Sequence, residues 1–311
     1  MELYSLSFVL LVTVGLVLYY TVLRRCQWLC LLALSLVFFA ASGWQGIFFL
    51  FFTALTVWGG GLWLARLDAD CAARRKAPGI TKDEKKAVKA KTQRRKKGVV
   101  ALVLVTNFLV LGYFKYWSYF VRLLAGAVAA TAPSALGLVM PLGISFYTFA
   151  AISYLIDAAR GDCEVETSFI DFALFLNFFA TVTQGPICRA GSLLPQLKAE
   201  HRFDAARTVQ ALRLLALGLF KLVAVSDVLG LLVDEVFPHY GSYGGPMLVL
   251  AAVFYTFQLY FNFSGYSEVA RAVGLLLGLT LPENFKTPFF ATNFSGFWSR
   301  WHISFSSWLQ D

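Results

Sequence analysis

Charge is the scarcest thing in this sequence. Asp, Glu, Lys and Arg make up 14% of its 311 residues, where a soluble domain carries roughly a quarter. Hydrophobic side chains reach 58% and mean hydropathy is +0.65. Those figures exclude a water-soluble globule and leave a polytopic helical membrane protein. The apolar runs are continuous and helix-length, not alternating, which excludes a membrane β-barrel. Cysteine offers little: Cys26, Cys30, Cys71, Cys163 and Cys188 include no CxxC pair. No metal site is expected, and the five read as small buried hydrophobes. Also missing are a glycine-rich phosphate loop, an HExxH helix and a Ser-His-Asp arrangement. No serine or cysteine stands out as a nucleophile, so an acyl-enzyme intermediate has no candidate. Internal repeats of the transporter kind are absent, which weighs against a transporter or channel. Met1-Glu2 opens the chain without a basic region, so the first apolar run is expected to be a retained helix, not a signal peptide.

What charge there is lies in one place. Arg66 to Lys97 holds 13 Lys and Arg against four Asp and Glu, a surplus equal to the whole chain's +9. With no nucleic-acid-binding motif beside it, this is a cytoplasmic loop obeying the positive-inside rule and resting on anionic headgroups. Nucleic acid is not an expected partner.

In chain order, Leu3–Leu23 is a first span. Arg24 and Arg25 put its end in the cytoplasm and the N-terminus outside. Spans follow over 28–41 and 47–65, and the chain returns to the cytoplasmic side at Arg66. Thr81 and Glu84 stand in capping-box spacing for a charged helix to Lys97. A crossing over 98–120 leads to a small-residue and proline loop at 130–137. In 141–160, Ser145, Tyr147, Thr148, Ser153, Tyr154 and Asp157 are too polar for lipid and must face helices or a wet cavity. The next apolar segment, 168–183, is broken by the run from Gln184 through Gly185-Pro186 to Arg189, as a re-entrant or kinked element or an interfacial turn. Residues 203–213 read as a surface helix before an apolar stretch to Val236, within which Lys221 and Asp227 require partners or a wet cavity. Residues 247–261 form another span.

Three stretches could carry chemistry. In 255–271, Gln258, Asn262 and Tyr266 share one helical face, Ser264 and Glu268 another, and Glu268 can pair with Arg271 at a spacing of three. Buried polar groups cost several kcal/mol each unless satisfied, so this density implies a polar pocket or interhelical hydrogen bonds. Leu281 to Phe289 is a rigid two-proline loop containing Asn284. The third stretch runs from Phe297 to Asp311. As one helix it aligns Trp298, Trp301, Phe305 and Trp308 on an aromatic face, with Ser295, Ser299, His302 and Ser306 beside it. His302 is a base, an orienting donor or a structural hydrogen bonder. His201 and His239 lie in polar loops and read as solvated.

The run Trp298-Ser299-Arg300-Trp301-His302-Ile303-Ser304-Phe305-Ser306 resembles the W-x-R-W-H-x-S-x-S signature of the membrane-bound O-acyltransferase (MBOAT) family. Residues 141–149, 185–197, 257–268 and 281–288 resemble four further motifs of that family in the same order. The likeness is closest to its bacterial alginate O-acetylation branch. It implies an all-α, MBOAT-type fold of roughly eight to ten membrane segments, with re-entrant or kinked elements, in a single domain over 1–311 that includes the basic loop 66–97. It also implies a multi-pass enzyme of the inner (cytoplasmic) membrane. That enzyme takes an acyl group from a thioester donor, acetyl-CoA or an acyl carrier, as co-substrate. The group passes to hydroxyls of an extracytoplasmic cell-envelope polysaccharide, and other extracytoplasmic acetyltransferase proteins take part. Membrane lipids surround it, and no tightly bound cofactor is implied.

By the same resemblance His302 is the first of two family histidines. Arg300, Trp301, Ser306, Asn284, Asn262, Ser264, Tyr266 and Glu268 are pocket or supporting residues. Asn262 and Glu268 stand where the family has aspartates, and Gln310 where it has arginine. The second histidine, some tens of residues downstream, falls beyond Asp311. The alternative is therefore a truncated, inactive MBOAT-like product.

Overall fold

The computed structural model describes residues 5–79, 81–125 and 140–311. All regular structure among them is helical. Four helices are long and apolar enough to cross a membrane: Gly46–Arg75, Lys82–Trp117, Ala205–Val236 and Gly245–Leu276. Two shorter apolar helices precede them, α1 (Leu6–Tyr20) and α2 (Gln27–Ala40). The protein is thus an all-helical multi-pass membrane protein. The expected eight to ten segments included short and kinked elements, and only these four are of spanning length among the described residues. The proline-containing loop expected at 130–137 lies outside those residues.

The chain forms two compact units. One comprises residues 35–182 and 189–198, the other 1–34, 183–188 and 199–311. In the 35–182 unit, α3 (Gly46–Arg75) packs on α4 (Lys82–Ala125) and α5 (Ile144–Arg160). Glycine makes this close: a Cβ at Gly60 would lie 3.0 Å from Val103, and one at Gly61 2.9 Å from the Tyr154 hydroxyl. Small residues let membrane helices approach where no hydrophobic effect drives them together. Leu102, Val105 and Leu109 on α4 stay exposed, as a lipid-facing surface requires.

The basic stretch 66–97 is largely helical, not an open loop. α3 runs on to Arg75 and α4 begins at Lys82. The capping box forms in both directions: the Thr81 N–H donates to the Glu84 carboxylate at 2.8 Å, and the Glu84 N–H to Thr81 Oγ1 at 3.3 Å. That start fixes a helix which enters the apolar segment without a break.

The polar residues of α5 are turned inward as their composition demands. Tyr147, Thr148, Ser153 and Tyr154 are buried, and Arg189 bridges Ser153 Oγ at 2.9 Å and Asp157 at 3.2 Å. Beyond α6 (Phe169–Asn177) the expected membrane segment to Thr183 is turn and irregular backbone. At α7 (Ala190–Lys198), Lys198 pairs with Glu166 and Asp171. Burial works against the Glu166 charge, but hydrogen bonds from Lys198 and the Ser168 N–H hold its carboxyl below the usual range.

In the other unit, residues 203–213 do not form a separate surface helix. α8 (Ala205–Leu219), a π-helical turn (Phe220–Ser226) and α9 (Asp227–Val236) make one spanning rod against α10 (Gly245–Leu276). α10 runs well past the expected span, so the polar run 255–271 lies on a spanning helix. The two rods meet at glycine. A Cβ on Gly265 would sit 2.7 Å from Leu222 Cγ and 2.9 Å from the Gly218 carbonyl oxygen. His201 is partly exposed, with its backbone N–H donating to Gln27 at 2.7 Å and its ring lying against Gly278. His239 is exposed.

Candidate active site

The stretch expected to be one helix is two. α11 (Phe294–Trp298) ends before His302, and α12 (Ile303–Gln310) begins after it. The reason is tertiary. The Lys286 N–H donates to the Arg300 carbonyl at 3.0 Å, and the Ile303 N–H to the Asn284 carbonyl at 2.9 Å. These bonds occupy backbone groups that a helix would need, so 284–286 and 300–303 run side by side instead. The single aromatic face does not exist. Trp301 stacks on Phe297 at 5.5 Å and meets Phe285 edge-on at 5.2 Å, while Phe305 stacks on Trp308 at 6.1 Å.

His302 sits at the break in left-handed backbone, φ 44° and ψ 54°. Only Thr287, at φ 45°, shares that feature among the described non-glycine residues. Such a conformation costs on the order of 1–3 kcal/mol and persists only where its surroundings impose it. Here Asn284 imposes it. Asn284 is 1% exposed, its carbonyl holds Ile303, and its Oδ1 accepts from the Ser304 N–H at 3.2 Å. Ser304 Oγ then accepts from the Ile187 N–H at 3.0 Å, which ties the Gly185-Pro186 turn to the same place. Ser306 Oγ donates to the Trp301 carbonyl at 2.9 Å, closing the turn from the other side.

The imidazole is held by rings. Phe263 of α10 meets it edge-on at 4.6 Å, and Phe305 stacks on it at 5.2 Å. His302 lies outside the four spanning helices. Burial among these rings pushes its pKa down to about 4, so the ring is neutral at physiological pH. Its Nδ1 is buried with no protein hydrogen-bond partner, as is Asn284 Nδ2.

One residue after Phe263, α10 presents a charged cluster. Lys221, on the π turn, donates to Ser264 Oγ at 2.9 Å and to the Glu268 carboxylate. Both ends of this pair are 15% exposed. Glu268 therefore does not pair with Arg271, which reaches Glu283 in the proline loop at 3.5 Å.

The expected site residues thus fall into groups. His302, Trp301, Ser306 and Asn284 form one hydrogen-bonded turn. Ser264 and Glu268 join through Lys221. Arg300 contributes its carbonyl to the pairing with Lys286. Asn262 and Tyr266 lie half-buried on α10 within two residues of Ser264, but the rings against His302 come from Phe263 and Phe305. Ser304, Phe263 and Lys221 were not among the expected residues. Lys221 was recoverable, since a lysine and a glutamate each isolated in apolar helices need one another. The contact of Ser304 with Ile187 crosses 117 residues and leaves no local signal.

A multi-pass helical membrane protein with a neutral, ring-held histidine at a strained turn is one class of molecule. Residues 164–311 match the sequence model of the MBOAT, membrane-bound O-acyltransferase family, and the chain belongs to that family. It is 35% identical over 303 residues to the probable alginate O-acetylase AlgI of Pseudomonas syringae pv. tomato, covering 94% of this chain and 53% of that protein. It is 30% identical over 236 residues to the peptidoglycan O-acetyltransferase of Helicobacter pylori, covering 68% and 45%. With the teichoic acid D-alanyltransferase of Bacillus subtilis it shares 27% over 248 residues, covering 69% and 60%. The chain spans about half the length of the curated relatives it matches.

Proposed function

We propose that this chain carries part of the active site of a membrane O-acyltransferase, an O-acetyltransferase of a cell-envelope polysaccharide. The whole of 1–311 belongs to that one functional domain. Its N-terminus is extracytoplasmic and its basic hairpin is on the cytoplasmic side, in the inner membrane. The acyl group comes from a cytoplasmic thioester, on coenzyme A or an acyl carrier. The observation that carries the reading is His302: neutral, unpartnered at Nδ1 and fixed by Asn284, within the segment that matches the family. The names of the three relatives, for alginate, peptidoglycan and teichoic acid, support a glycan or glycan-like acceptor.

The chemistry needs no covalent enzyme intermediate. A sugar hydroxyl attacks the thioester carbonyl; the C–O bond forms, the C–S bond breaks, and the hydroxyl proton ends on the departing sulfur. A neutral imidazole keeps one nitrogen free to accept a hydrogen bond, and with its pKa pushed down to about 4 it takes up a proton poorly. His302 is therefore assigned to orienting the hydroxyl, and proton removal to the second histidine that the family resemblance implies. Positioned acid–base assistance of this kind is worth typically ~10²–10⁴-fold, with proximity supplying much of the rest.

The test is the O-acetyl content of envelope polysaccharides in a deletion strain complemented with the full-length gene or its His302→Ala variant. The full-length gene restores acetylation, and the variant loses about tenfold in rate, the worth of one orienting hydrogen bond of ~1.4 kcal/mol. Unchanged acetylation in the deletion strain overturns the proposal.

A further inference from the structure

A second site lies in the 35–182 unit, apart from His302. A cavity of about 750 Å³ opens between α3, α4 and α5. Five basic side chains and one acid line it, with no aromatic residue. Along α4 the lining passes from Lys89, Lys96 and Lys97 to Val100, Ala101 and Leu104, while α3 adds Arg75 and α5 adds Ile156, Ala159 and Arg160. From Lys89 to Leu104 the α4 wall covers about 22 Å of helix, crossing the point at which the sequence turns from charged to apolar.

The acid is already used. Asp68 accepts from Lys96 at 2.8 Å, and that lysine is 8% exposed. The pair pins α3 to α4 and neutralises itself. Arg75, Lys89 and Lys97 have no ion pair among the described residues. Three cations without an ion pair thus share the cavity wall with an aliphatic floor of Val100, Leu104 and Ile156.

We infer that this cavity is a binding site for an anionic phospholipid. Its phosphate and headgroup would sit among Arg75, Lys89 and Lys97, and an acyl chain along Val100, Leu104 and Ile156. A basic pocket at the end of membrane helices favours phosphate, and each Lys or Arg near an anionic headgroup adds about 1 kcal/mol. A nucleotide-bearing thioester would offer the same phosphate chemistry, but no ring in the wall can stack an adenine. The aliphatic floor suits a lipid tail.

The experiment uses the full-length protein purified in detergent, titrated with phosphatidylglycerol, phosphatidylcholine of the same acyl chains, or coenzyme A, and read by native mass spectrometry. Phosphatidylglycerol is expected to be retained over phosphatidylcholine, less so as salt rises. The triple variant Arg75→Gln, Lys89→Gln, Lys97→Gln should weaken phosphatidylglycerol about a hundredfold. These side chains are exposed, so the fold should survive, and Lys96 is left intact. A control triple, Lys82→Gln, Lys85→Gln, Lys86→Gln, removes equal charge from the same helix outside the cavity. Equal losses in the two triples, equal retention of phosphatidylcholine, or displacement of phosphatidylglycerol by coenzyme A would each overturn the assignment.

Discussion

The Lys221–Glu268 pair lies between spanning helices, and removing one charge strands the other. Consider Lys221→Met. Glu268 keeps a carboxylate with 15% of its side chain exposed and loses its cation, while Ser264 loses the donor at 2.9 Å. A half-broken buried pair typically costs about 3–5 kcal/mol. The stranded carboxyl can instead take up a proton, which for an ordinary glutamate at neutral pH costs about 4 kcal/mol. The two routes agree, so a loss of ~4 kcal/mol is expected at pH 7. Because protonation sets the upper bound, the loss should shrink by about 1.4 kcal/mol per unit as pH falls. The double variant Lys221→Met, Glu268→Gln removes both charges and should recover most of the stability. Unfolding in detergent at pH 7 and pH 5 measures all three proteins. If the single variant is as stable as the parent at both pH values, or the double variant is worse than the single, the pairing argument is wrong. Acetylation by the double variant then separates roles: recovered folding with lost activity assigns the pair to the chemistry, and recovery of both assigns it to structure.

Three further outcomes follow from the same geometry. Asn284→Ala strips the acceptor from the buried Ser304 N–H and should cost about 1–3 kcal/mol, lowering the unfolding temperature; a neutral result would mean that Asn284 does not hold the His302 turn. Gly218→Ala gains about 1 kcal/mol in helix propensity, but its Cβ would lie 3.0 Å from the Gly265 carbonyl oxygen and 3.1 Å from the Val269 N. Backbone cannot yield as a side chain can, so overpacking of about 1–3 kcal/mol wins and unfolding should come earlier; a gain in stability would refute the close approach. At Glu166 the folded carboxyl lies below its ordinary range. Its stabilisation is therefore present above the unfolded pKa and lost as pH falls through the folded one. An acid titration of stability should be shallower in Glu166→Gln, and identical curves would remove Lys198 as its partner.

Much of the fold was legible because membrane physics leaves few choices. Long apolar runs must be helices, and the polar residues of α5 must turn inward, as Tyr147, Thr148, Ser153 and Tyr154 do. The Thr81–Glu84 capping box was readable because it is local, three residues end to end. The failures were non-local. Glu268 looked destined for Arg271 at helical spacing, yet its partner Lys221 is 47 residues away, and Arg271 turns to Glu283. Residues 299–302 carry no proline or other helix breaker. Their helix is interrupted by backbone bonds from the proline loop, which no periodicity in 297–311 could show. The motif residues were found, but their shape was not: His302 is a strained hinge between helices, not a member of a continuous polar stripe.

The π turn, the glycine contact and the charge pair are three views of one constraint. At Gly218 the α8 backbone lies so close to α10 that a Cβ there would meet the Gly265 carbonyl oxygen at 3.0 Å, since neither Gly218 nor Gly265 has a side chain to hold the helices apart. Lys221 follows three residues later, and Ser264 and Glu268 flank Gly265 on the opposing helix. With bulkier residues at the crossing, a lysine would have to stretch across the gap, and an apolar membrane interior offers nothing to bridge it. The π turn begins at Phe220, where its extra residue per turn rotates the side chains that follow relative to a regular helix. π turns inside α-helices are found frequently at functional sites. Here the turn carries Lys221 to Ser264, one residue beyond Phe263, whose ring supports His302, and to Glu268, five residues beyond it. The charged cluster and the support of the imidazole thereby occupy successive turns of α10. A change at the glycine crossing should therefore reach His302 without touching it.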